Sequence, residues 1–89
     1  MSRLQTMKIQ LRYFAALREA LGPGETLELA GPATVAEVRD LLIARGGAHA
    51  SALARGRAVR AALNQAMVAE SAALADGAEL AFFPPVTGG

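Results

Sequence analysis

The chain has no cysteine among its 89 residues, which excludes disulfides and any chemistry on a side-chain thiol. It has one histidine, His49, with no acidic residue nearby in sequence. Metal ligation and general acid–base chemistry need several such groups held together, so no metal site is expected and His49 reads as a solvent-facing loop residue. Net charge is nearly absent too. Nine Lys plus Arg against eight Asp plus Glu give +1 at pH 7, spread almost evenly over the two halves, which leaves no basic footprint for nucleic acid. No apolar run approaches the roughly 20 residues of a membrane span. The first six residues are mostly polar with no apolar stretch behind them, unlike a secretory signal. The expectation is a cytoplasmic protein with no nucleic-acid partner and no membrane association.

What the chain does have is apolar patterning: 53% of it is hydrophobic, enough for one small, independently folding domain. From Met7 to Phe14 apolar and polar residues alternate, with Met7, Ile9, Leu11 and Tyr13 on one side, which predicts a half-buried strand. Phe14 breaks the pattern by putting a large aromatic on the polar side. Two readings of it stand level: it packs beneath the next segment, or it belongs to a contact surface. Ala15 to Leu21 has helical spacing and ends at Gly22-Pro23-Gly24. No Lys-Ser or Lys-Thr pair follows those glycines, so they are not a phosphate loop. Thr26 to Leu29 reads as a second strand, broken by Gly31-Pro32.

Thr34-Val35-Ala36-Glu37 has the form of a capping box. The helix it opens carries Val35, Val38, Leu41 and Leu42 on one stripe, with Arg39, Asp40 and Arg45 largely off it, and Gly46-Gly47 supplies the stop. Ala48 to Gly56 reads as a loop with a short helical turn near Ala50 to Ala54. Val59, Ala61 and Leu63 alternate as a third strand, Asn64-Gln65 turns the chain, and Ala66-Met67-Val68 starts back as its partner. Leu74 is expected to plug the core before the Asp76-Gly77 turn. Glu79 to Phe83 is the last strand, with Leu80 and Phe82 inward and Ala81 and Phe83 outward. The order of elements predicts an α+β domain: a β-grasp (ubiquitin-like) mixed sheet of about five strands with one main helix packed across it.

The last strand runs into Pro84-Pro85-Val86-Thr87-Gly88-Gly89. The proline pair favours an extended, semi-rigid spacer, and the six residues from Pro84 to Gly89 could reach roughly 20 Å when extended. Two glycines, lacking Cβ atoms, can pass where side chains would collide. A terminal Gly-Gly alone arises by chance in about one chain in 200, and chain ends commonly fray. The absence of charge argues for a working part instead, because Pro84 to Gly89 carries a single Thr hydroxyl. The organisation expected is a disordered leader over 1–6, the domain over 7–83 and an extended tail over 84–89, with Met7 an alternative start.

The run Phe82 to Gly89, with Leu63-Asn64-Gln65, Asp76-Gly77, Tyr13-Phe14-Ala15 and Arg18-Glu19 upstream, resembles the small subunit of molybdopterin synthase, a ubiquitin-like sulfur carrier. The resemblance covers most of the chain from Met7 onward. Thiamine-pathway sulfur carriers share the terminal Gly-Gly but typically lack the aromatic and double-proline approach to it. The resemblance implies that the last strand lies beside the first in the sheet centre. It also implies that Gly89, preceded by Gly88, is the reactive group. A free carboxylate with a pKa near 3.5 is an anion at neutral pH and a poor electrophile, so Gly89 would first be adenylated by an ATP-dependent activating enzyme. A sulfurtransferase would then convert it to a thiocarboxylate. The thiocarboxylate would donate sulfur to cyclic pyranopterin monophosphate in the large synthase subunit, and two such transfers make the dithiolene that binds molybdenum.

On that footing the chain holds no permanent cofactor and supplies no acid, base or metal ligand, the catalytic groups belonging to the large subunit. The family suggests an assembly of two small and two large subunits. The partner-binding residues expected are Phe14, Phe83 and Met67, which strand parity places on one face, with Arg18 at a matching family position and Pro84, Pro85, Val86 and Thr87 in the tail. The other Arg, Asp and Glu residues are expected to form a solvated surface. Two other roles use the same terminal chemistry. One is a sulfur carrier for thiamine or another thio-cofactor; the other is a ubiquitin-like modifier that joins Gly89 to lysines of target proteins.

Overall fold

The computed structural model describes residues 6–84. Five strands, β1 (Thr6–Tyr13), β2 (Gly24–Ala30), β3 (Arg60–Leu63), β4 (Ala66–Val68) and β5 (Glu79–Phe83), form one sheet in the order β2-β1-β5-β3-β4. Only β1 and β5 run parallel. The last strand therefore occupies the centre, hydrogen-bonded on both sides, and the expected α+β, β-grasp architecture is the one observed. Three helices, α1 (Ala16–Leu21), α2 (Val35–Ile43) and α3 (Gly47–Ala52), complete the fold.

Each element follows from local chemistry. β1 buries Met7, Ile9, Leu11 and Tyr13 and exposes the residues between them, as a period of two requires. β2 begins at Gly24, two residues before the expected Thr26. Gly24 pairs with Arg12, and a Cβ there would lie 2.1 Å from the Leu11 carbonyl oxygen, so only glycine lets the strands approach. The Thr34 capping box is present: the Thr34 hydroxyl accepts from the Glu37 amide at 3.3 Å, and the Glu37 carboxylate accepts from the Thr34 amide at 2.8 Å. Asn64 and Gln65 both take positive φ, 49° and 71°, as a two-residue hairpin turn between β3 and β4 demands. The Asp76-Gly77 turn is tied back to β1, with the Lys8 amide donating to Asp76 Oδ1 and the Gly77 amide to the Lys8 carbonyl, both at 2.8 Å.

The core lies between one face of the sheet and the helices. Ile9, Leu11, Tyr13, Leu80 and Phe82 face Leu17, Val35, Val38, Leu42, Leu53 and Leu74. Three expectations on this side are corrected. Leu41 is not part of the buried stripe: it is 49% exposed, because α2 turns it beyond β2, the edge of the sheet. Arg39 does not lie on a solvated surface. It is 3% exposed, and its guanidinium donates to the carbonyls of Leu53 (2.8 Å), Ala54 (2.7 Å) and Arg57 (2.9 Å) and to the Glu70 carboxylate. Arg55 joins the network through Asp40 and Glu70. The segment after α3, where backbone carbonyls would otherwise lack partners, is thus gathered around one buried cation.

The third correction concerns His49, which sits half-buried on α3 rather than facing solvent from a loop. Its ring meets Tyr13 edge-on, with centroids 6.5 Å apart. Its Nε2 lies 3.8 Å from Glu25, a carboxylate that Arg45 grips through two bonds of 2.8 and 2.9 Å. Sequence proximity missed this acid because β2 delivers it from 24 positions away.

Candidate functional site

Among the described residues the other face of the sheet carries no helix. The residues of alternate parity on the four strands from β1 to β4 point onto it, and the register puts them in rows. One row runs Arg12, Ala81, Ala62, Met67. The next holds Phe83 opposite Arg60. Phe14 follows the end of β1, and its amide donates to the Phe82 carbonyl at 3.2 Å, which continues the β1–β5 pairing by one residue. Ala15, with φ 52° and ψ −129°, then turns the chain sharply into α1 and leaves Phe14 on the open face.

The rings of Phe14 and Phe83 stack, with centroids 4.9 Å apart and planes within 6°. Phe14 remains 37% exposed and Met67 56%. Ala62 and Ala81 lie between them, buried although no helix covers this side; the larger side chains flanking these methyl groups screen them. The result is a shallow apolar platform with two small residues as floor and aromatic rings at one end. Of the two readings of Phe14, packing beneath the next segment is not what the geometry shows: among the described residues its ring stacks on Phe83 and it stays exposed.

Two hollows flank the platform. One, of about 400 Å³, is lined by Arg12, Phe14 and Arg18 among others. The other, of about 380 Å³, is lined by Arg60 and Met67 among others. Arg18 therefore shares a hollow with Phe14. Met67 shares the face but not the stack, two strands away from β5. Arg12, Arg60 and the alanine floor were not singled out from sequence, although the strand alternation that placed Phe83 outward places Arg12, Ala62 and Ala81 on the same side. Pro84, at the root of the tail, lines a third hollow of about 330 Å³ with Ala16, Leu17 and Ala20 of α1 and Ala48, Ser51 and Ala52 of α3. Pro85, Val86, Thr87, Gly88 and Gly89 lie outside the described residues.

Titratable groups with displaced pKa values lie at the edge of the core, where Tyr13 and Glu25 line the hollow beside Phe14 and Glu70 lines the one beside Met67. Burial, reinforced by Glu25, pushes the Tyr13 phenol up to about 12. The hydrogen bonds from Arg45 hold the Glu25 carboxyl below its usual value. Burial would raise Glu70, but the bonds from Arg39 and Arg55 outweigh it and hold that carboxyl low as well. The two carboxyl shifts belong to structural ion pairs, and that of Tyr13 to burial. Among the described residues no group of three or more His, Cys, Asp or Glu could hold a metal.

Comparison with known proteins gives three kinds of likeness. The model of a family described as the ThiS family matches residues 11–89. The molybdopterin synthase sulfur carrier subunit of Escherichia coli (strain K12) is 42% identical over 81 residues, covering 91% of this chain and 99% of the relative. The solution structure of the Haloferax volcanii HVO 2177 protein has a TM-score of 0.79 at 33% identity, covering 94% of this chain and 88% of that one. The crystal structure of small archaeal modifier protein 1 from H. volcanii has a TM-score of 0.73 at 29% identity, covering 90% and 99%.

Proposed function

The chain belongs to the ThiS family, and from that premise we propose that it is the sulfur-carrying small subunit of a molybdopterin synthase. The observation that carries the reading is the position of β5. The strand that leads to Pro84 is the central one, hydrogen-bonded to β1 and β3, and it ends beside an exposed aromatic stack. A central strand is the best-protected root for an arm that must enter another protein's active site, and the platform beside it gives that protein a place to dock. The likeness to the E. coli carrier subunit supports the same general role.

The chemistry proposed takes place at Gly89. Its carboxylate attacks the α-phosphate of ATP on an E1-like adenylating enzyme, pyrophosphate leaves, and an acyl-adenylate forms. A sulfur nucleophile supplied by a sulfurtransferase attacks the acyl carbon and displaces AMP, leaving a thiocarboxylate. The tail, with Gly88 and Gly89 as its narrow end and Pro85, Val86 and Thr87 behind them, then enters the large subunit, where the thiocarboxylate sulfur bonds to cyclic pyranopterin monophosphate and water cleaves its bond to the acyl carbon, restoring the Gly89 carboxylate. ATP is consumed on the activating enzyme, and the small subunit keeps no cofactor. Its own residues bind and orient: Phe14, Phe83 and Met67 dock the body, and Pro84 starts the arm.

Intact mass after incubation with ATP, the adenylating enzyme and a sulfur source tests this directly. The expected result is a mass rise equal to replacement of one oxygen by sulfur, abolished by deletion of Gly89. Conversion of cyclic pyranopterin monophosphate by the thiocarboxylated chain plus the large subunit separates this role from thiamine-type carriage. The 29% identity to a small archaeal modifier favours one second reading, conjugation of Gly89 to lysines. It predicts covalent adducts in cell extracts that resist thiol reductants, and Lys8 is the one lysine on which a polymer could grow.

A further inference from the structure

Eight arginines are present, and seven lie within the described residues. They divide by location. Arg39, Arg45, Arg55 and Arg57, on the helical side, are all held: Arg39 by three carbonyls and Glu70, Arg45 by Glu25, Arg55 by Asp40 and Glu70, and Arg57 by the Ser51 carbonyl. Arg12, Arg18 and Arg60 border the open-face platform. Arg18 and Arg60 make no side-chain hydrogen bond or ion pair among the described residues, and Arg12 reaches only Glu79, at 3.7 Å. Glu19 follows Arg18 on α1, but consecutive helical residues do not face each other. Three cations, one barely paired and two unpaired, thus border the stacked phenylalanines and the alanine floor, while the carboxylates lining the same hollows, Glu25 and Glu70, are already engaged by Arg45 and by Arg39 and Arg55.

Resting on the carrier reading above, we infer that Arg12, Arg18 and Arg60 form a cationic ring that selects a partner whose apolar docking pocket is rimmed by carboxylates. The apolar platform supplies contact area, and the ring supplies register and attraction at a distance. Like charges brought together across an interface cost affinity, while opposite ones steer encounter and raise the association rate. A second copy of this chain is a poor occupant, because a two-fold pairing of the platform would set this ring against itself. A nucleic acid would meet three cations and an apolar centre on a chain of net charge +1, far short of a basic stripe. The occupant the charges select is an acidic-rimmed protein face.

The test follows association of the whole chain with the molybdopterin synthase large subunit by stopped flow, at low and at high NaCl. For the wild-type chain the association rate is expected to fall about tenfold or more as salt rises. The triple variant Arg12→Gln, Arg18→Gln, Arg60→Gln should associate about tenfold more slowly at low salt and lose most of the salt dependence, with a smaller change in dissociation rate. All three side chains are exposed, so its thermal unfolding should match the wild type. Equal association rates for the two proteins at low salt, with both forming the complex, would overturn the ring and leave the carrier reading standing. Failure of the wild-type chain to bind the large subunit at all would overturn that reading and the ring with it. Self-association of the free chain that Phe83→Asp abolishes would also overturn the ring, by giving the platform to a second copy.

Discussion

The two faces of the sheet use the same residue types in opposite ways. Beneath the helices, large apolar side chains are closed off, and the arginines beside them are spent on carbonyls and carboxylates of the same chain. On the open face two phenylalanines lie stacked but half-uncovered, alanines replace the leucines of the inner side, and the arginines are nearly unengaged. Interactions satisfied within the chain add to folding stability, whereas interactions left unsatisfied are available to something else. The first face makes the domain, and the second is the one the proposed role would use for docking. The contrast is sharpest within β5, where Phe82 and Phe83 are sequence neighbours on opposite sides.

Those two residues give the largest expected effect. Phe82 is fully buried in the core, and truncating a buried Phe costs about 3–5 kcal/mol before any charge is added. Phe82→Asp adds an unpaired buried carboxylate, and the total is comparable to the whole stability of a small domain, about 5–15 kcal/mol. Circular dichroism should find that variant unfolded. Phe83→Asp should keep a melting temperature near that of the wild type while association with the large subunit is lost. Unfolding of both variants would show that the open face belongs to the core, and the division between the faces would fail.

Next in size is the contrast between arginines. Arg39→Met removes a buried cation from three carbonyls and Glu70 and leaves those acceptors without their donor, a loss of about 3 kcal/mol. For a domain of this length that lowers the melting temperature by roughly 15 °C. Arg60→Met, on the exposed face, should stay within about 0.5 kcal/mol. Differential scanning calorimetry of the pair decides. Equal shifts would mean that the inner network contributes nothing beyond surface charge.

The same contrast explains which features could be read from sequence. The alternation from Met7 to Tyr13, the Thr34–Glu37 box, the Asn64-Gln65 and Asp76-Gly77 turns and the last strand are local patterns, and the residues that make them are adjacent or a turn apart. The pairing of Phe14 with Phe83 was legible through strand parity once β1 and β5 were set side by side. Arg39 was not legible, because its partners come from 14 to 31 positions downstream and helical spacing alone places it off the apolar stripe. Leu41 was misjudged for the converse reason: it lies on the stripe, but the sheet ends at β2 before reaching it. Spacing alone gives α3 no more than a turn, because Gly47 to Ala52 has small residues and no apolar period. The cationic ring could have been found by asking which arginines share parity with Phe83.

A smaller effect lies in acid. In the folded chain the Glu25 and Glu70 carboxyls titrate below their ordinary value of 4.5, so their contribution is complete above that value and is lost as pH falls through the lower folded pKa. Stability should decline below about pH 4.5, and Glu25→Gln should flatten that decline. At the other end the Tyr13 phenol, raised to about 12, contributes fully below its unfolded value near 10 and loses that contribution as pH rises toward 12. Urea midpoints across pH measure both limbs. Glu25 and Glu70 line the hollows beside the platform but are held by Arg45 and by Arg39 and Arg55, so association through the platform should follow neither limb while the fold persists. A binding profile that tracks Glu25 would tie the two faces together.

The smallest effect is the most exacting test, because it compares two residues that look alike. Met67 and Leu41 are both large apolar side chains about half-exposed, one on the open face and one on α2. Scattered surface apolar residues need no explanation, so exposure alone assigns neither to an interface. Met67 shares a row with Ala62 and Ala81 and a hollow with Arg60, which makes it the far margin of the platform, and contacts at an interface margin carry less energy than those at its centre. Met67→Gln should therefore weaken binding of the large subunit by about fivefold, on the order of 1 kcal/mol. Leu41→Gln should change it not at all, and both should leave stability within about 0.5 kcal/mol. Calorimetric titration of the two variants measures the difference, and equal weakening by both would mean that the partner wraps around the edge strand β2 rather than docking on one face.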